Sequence, residues 1–229
     1  NTVSPLKLKI DSQSITFNQV FFEVRMIPLG VGTSKKAPAN MDVVLISKDK
    51  LTVLMLESKL LEYAEGLSSK LDMPESYLKE DKYCKNANAS YWKKVISALQ
   101  APNKGYTSRR YYAGIKQNIC HLIAIDNLVV QDKEALKFIK DENDGLLLQP
   151  DANIIYKALL FHPDNKMFRK ETAAYYDYRQ LIHDTLNTTL TRQKVDVFTY
   201  SELWEQARSQ MDDDLQAFLQ RRYMQFANF

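Results

Sequence analysis

Asp42, Glu57 and Lys59 are the residues whose types and spacing offer chemistry. They lie in "ANMDVVLISKDKLTVLMLESKLLEY", residues 39–63, where two apolar runs flank the polar Lys48-Asp49-Lys50. The runs read as strands over 41–47 and 51–58. Alternate residues of a strand share a face. Leu51, Val53, Met55, Glu57 and Lys59 therefore point one way, and Thr52, Leu54, Leu56 and Ser58 the other. Glu57 and Lys59 prolong an apolar stripe and are expected at the rim of a core. With Asp49 and Lys50 as the loop residues, Asp42 falls directly opposite Glu57. Opposed side chains on one face have Cβ atoms roughly 5 Å apart. A slip of one residue would carry Asp42 to the other face, and the turn lacks the Asn-Gly pair that would pin the register.

Two carboxylates at that separation among apolar neighbours repel each other. They need a cation, a shared proton or a basic partner. Lys59 supplies one positive charge, and a divalent metal would supply the rest. Carboxylates with few other ligands suit Mg²⁺, with Mn²⁺ as a possible substitute; Mg²⁺ keeps several waters and takes further ligands from substrate phosphate. A lysine beside a metal-bound water can orient it and offset charge as a phosphate is attacked. That is the chemistry of phosphodiester hydrolysis. The bland alternative is that strand ends often carry charged residues, and this spacing also arises without function.

The elements that must position these residues follow from periodicity and punctuation. "VFFEVRMIPLGVG" (20–32) reads as a strand closing at Pro and Gly, followed by a polar loop. Residues 74–100 have helical spacing, with Trp92, Val95, Ile96 and Leu99 along one face. "APNKGYTS" ends that helix, and Thr107 or Ser108 could cap the next, which carries Ile115, Ile119, Leu122 and Ile123. "DKEALKFIKDEND" predicts a short helix stopping at Gly145. "NIIYKALLFHP" (153–163) and "KVDVFTY" (194–200) predict strands, and 171–190 a helix between them. Ser201 could cap a closing helix with Glu202 and Glu205 near its start. Asp212–Asp214 reads as a solvated helix start. Strands first, then alternating helices and strands, give an α/β (α+β mixed) class: a central mixed sheet flanked by helices.

The length of 229 residues suits one domain over 1–229. Its core lies at about 19–125, completed by strands and helices from 150–229. A net charge of +3 permits nucleic acid as a partner, provided the basic footprint is local. Two cysteines, Cys84 and Cys120, make no disulfide framework. With no signal peptide and no apolar run long enough for a bilayer, a cytoplasmic protein without a membrane partner is expected.

"MDVVLISKDKLTVLMLESK" resembles the Asp…Glu-x-Lys signature of the PD-(D/E)xK, or restriction-endonuclease-like, superfamily. The resemblance implies a helix, a β-meander, a helix and a further strand, with Asp42 on the second strand of the meander and Glu57-x-Lys59 on the third. It implies Asp42, Glu57 and the Ser58 carbonyl as metal ligands and Lys59 as the catalytic lysine. The proline that often precedes the Asp is absent, since Asn40 and Met41 stand there. Glu23 matches an acidic residue that some members carry earlier, and Glu62 one that follows the Glu-x-Lys in others; both are also ordinary surface positions. The helix after the third strand resembles that of RecB-type nucleases, which carries Gln followed four residues on by Tyr. Here the pair is Gln117 and His121, one turn apart. Gln117 is thereby implied as a site residue. His121 replaces the Tyr, and the sequence shows no partner that would make it a metal ligand or base. The chain opens on Asn1 rather than Met, which leaves room for a preceding helix.

A nuclease must hold a polyanion. Lys82 to Lys116 is dense in positive charge with interleaved aromatics. Arg109 and Arg110 would open the Gln117 helix and grip phosphate, as would Lys104 and Lys116. A solvated basic face is the commoner fate of such a cluster. The reading implied is a Mg²⁺-dependent DNA endonuclease, with homodimerisation possible. The rival is a non-catalytic DNA-binding or scaffold module that retains the nuclease fold. No Gly-rich phosphate loop or nucleophile elbow appears, which weakens other enzyme classes.

Overall fold

The computed structural model describes residues 2–28, 38–59, 115–160 and 194–221. Six strands form one mixed sheet in sequence order: β1 (Thr2–Ile10), β2 (Gln13–Met26), β3 (Ala39–Ser47), β4 (Thr52–Lys59), β5 (Asn153–Leu160) and β6 (Lys194–Thr199). The first four form an antiparallel meander, and β5 and β6 add in parallel to β4. The described helices are α1 (Ile115–Val129), α2 (Lys133–Glu142), α3 (Tyr200–Ala207) and α4 (Asp213–Leu219), with a 3₁₀ turn at Arg208–Gln210 after α3. The fold is of the mixed α/β class, and the strands from the C-terminal part complete the sheet begun by the meander.

The first hairpin was not anticipated from the sequence. Leu6, Leu8 and Ile10 alternate with Lys7 and Lys9, which is the period of a strand buried on one face. Asp11 and Ser12 both adopt positive φ (47° and 71°), as a two-residue hairpin of matching twist requires. In consequence the strand expected at 20–32 begins earlier, at Gln13. The β3–β4 register is the expected one: Val43 pairs with Leu56, Val44 with Met55, Leu45 with Leu54 and Ile46 with Val53. Asp49 replaces the missing Asn-Gly. Its Oδ1 accepts from the Ser47 hydroxyl and from the Leu51 N–H at 3.0 Å, and Ser47 Oγ accepts from the Thr52 N–H at 2.9 Å. Lys50 then closes the turn at φ 63°.

Further along the chain, α2 starts at the cap Asp132, whose side chain accepts from the Ala135 N–H at 3.0 Å. It stops at Asp144 and Gly145, both at positive φ. Tyr200, one residue earlier than expected, opens α3, which puts Ser201 inside the first turn rather than at the cap. Asp212 caps α4 by accepting from the Leu215 N–H at 2.7 Å, so the acidic run is a helix start. The helices expected over 74–100 and 171–190, and the caps at Thr107 or Ser108, lie outside the described residues.

The sheet is covered on both faces. On one, Leu8, Ile10, Phe17, Leu45, Leu54, Leu56 and Ile155 form a core against which Tyr200 and Leu203 of α3 pack. On the other lies α1, which contacts β2, β3 and β5 and buries Leu122, Ala124, Ile125 and Leu128. No helix among the described residues is long and apolar enough to cross a membrane.

Candidate active site

The site is built on β4, a strand with neighbours on both sides and helices over both faces. A sheet position of this kind selects a near-continuous apolar run, and Val53, Leu54, Met55 and Leu56 supply it, each at most 3% exposed. The expected alternation holds: Leu54 and Leu56 enter the core beneath α3, while Glu57 meets His121 of α1. Glu57 is not at the rim, however. It is 0% exposed, because α1 covers that end of the face and β5 continues past it, pairing Glu57 with Ala158.

Asp42 and Glu57 occupy opposed positions one step beyond the Val43–Leu56 pair. There the carboxylate of Asp42 takes over from the ladder. Its Oδ2 accepts from the Ser58 N–H at 2.6 Å, which holds the carboxylate against the β4 backbone next to Glu57. Ser58 also hydrogen-bonds through its hydroxyl to the Tyr200 hydroxyl on the opposite face. One residue therefore ties the strand that carries Glu57 to β3 on one side and to α3 beneath it.

The partner that sequence reasoning missed is His121. Its Nδ1 stands 3.5 Å from Glu57 Oε2, and both side chains are 1% exposed or less. Spacing along α1 put His121 one turn from Gln117 but could not reveal which strand it would meet. That contact spans more than sixty intervening residues and depends on how α1 lies across the sheet. Burying an isolated carboxylate is costly; an imidazole beside it, or a metal, offsets the charge.

The other expected residues divide. Gln117 and Lys116 lie in the first turn of α1. Lys59 is the last residue of β4 and pairs with Leu160. The side chains of these three lie outside the described residues, as do Lys104, Arg109, Arg110 and Glu62 altogether. Glu23 faces solvent and sits at φ 50° between the pairs Phe22–Val43 and Val24–Met41, so its backbone stands across from Asp42 in β3. Its side chain is not drawn into the buried group.

Asp42 and Glu57 bring carboxylates from adjacent strands, one wholly removed from water. Among the described residues, no group of three or more His, Cys, Asp or Glu side chains is gathered closely enough to hold a metal ion. No protein-family model, curated protein or solved structure matches the chain.

Proposed function

We propose that the chain is a metal-dependent DNA endonuclease that hydrolyses phosphodiester bonds, acting in bacterial restriction, defence or DNA processing in the cytoplasm. The observation that carries this reading is the opposition of Asp42 and Glu57 across the β3–β4 pair, with the Ser58 N–H bound to Asp42. Register, parity and order along the chain all agree with the Asp…Glu-x-Lys pattern. Asp42, Glu57 and the Ser58 carbonyl hold Mg²⁺, which when bound offsets phosphate charge and makes its water a better nucleophile. Lys59, two residues beyond Glu57, orients the attacking water. Gln117 on α1 supports the site. Arg109, Arg110, Lys104 and Lys116 neutralise the DNA backbone, so affinity should fall as salt rises. A homodimer would allow both strands to be cut.

The second reading, a non-catalytic DNA-binding or scaffold module, draws on the burial of Glu57 against His121. A purely structural ion pair looks the same. Supercoiled plasmid with Mg²⁺, with EDTA, and with the Lys59→Ala variant separates the two. Nicking or linearisation that needs the metal and falls at least about a hundredfold in Lys59→Ala supports the nuclease. Salt-sensitive DNA binding without any cutting supports the module.

A further inference from the structure

We draw no further inference here: the strongest candidate, the surface cleft of about 380 Å³ lined by Leu128 of α1, Leu136 of α2, Leu148, Pro150 and Ile154 of β5, is half apolar and nothing in the structure shows what covers it.

Discussion

Two carboxyls with shifted titration, Asp126 and Asp49, act in opposite directions on stability. Asp126, half-buried on α1, has its carboxyl raised above the ordinary value by burial. The folded state therefore favours the protonated form. The stability this contributes is complete below the unfolded pKa and is lost as pH rises through the folded one. Asp126→Asn keeps the shape without the charge. It should melt higher than the parent at pH 7, and the gap should close as pH falls toward the ordinary aspartate value. Melting curves along a pH series would show this, and a pH-independent gap would refute it. Asp49 runs the other way. The Ser47 hydroxyl, and next the Leu51 N–H, hold its carboxyl below the usual range. What it contributes to the turn is present above the unfolded pKa and fades as acid protonates it.

At the scale of the elements, α2 is a short helix whose two ends do different work. Its cap, Asp132, satisfies one of the N–H groups that a helix start leaves without an intrahelical acceptor. Asp132→Ala should cost about 1 kcal/mol, a fall of roughly 2–4 °C in melting temperature for a domain of this size. An unchanged melt would mean that tertiary packing alone holds the helix. At the other end Asn143 accepts from the Arg25 N–H at 2.7 Å and donates to the Arg25 carbonyl at 2.9 Å. The helix is thereby tied to β2. The strands β3, β4, β5 and β6, the helix α2 and the acidic start of α4 could be read from sequence, because each is announced within about ten residues by period, turn or cap. The opposition of Asp42 and Glu57 was also readable, since a hairpin register is a local property. The burial of Glu57 and its meeting with His121 were not, because they depend on where α1 lands on the sheet. The β1–β2 hairpin escaped for another reason: its turn uses Asp11-Ser12, a pair without the glycine that usually marks positive φ.

Across the whole molecule, α3 contacts β6 and β1, the two outer strands of the sheet. A flat sheet of six strands would be roughly 24 Å across, and a helix of this length covers about 12 Å. For α3 to reach both outer strands, the sheet curls around it. The curl delivers two glutamines to the open edge. Gln206 accepts from the Lys9 N–H at 2.6 Å, and Gln210 accepts from the Lys7 N–H and donates to the Lys7 carbonyl, both at 2.7 Å. With Asn143 on Arg25, three primary-amide side chains stand where another strand would pair. Natural sheets protect their edges against such pairing. Replacing Gln206 and Gln210 together by Ala should bring concentration-dependent self-association, read by size-exclusion chromatography with light scattering. A variant that keeps the parent's elution at every concentration would show that the amides do not guard the edge. The junction at β4 has a temporal consequence as well. On its β3 side the strand pairs with its immediate predecessor in the chain; on its β5 side Thr52 meets Asn153. Early pairing of near neighbours and late closure of the long loop is the order that chain entropy favours. Glu57 would then be born exposed beside Asp42 and buried only when α1 and β5 arrive, so the two carboxylates are opposed before the packing that removes one of them from water.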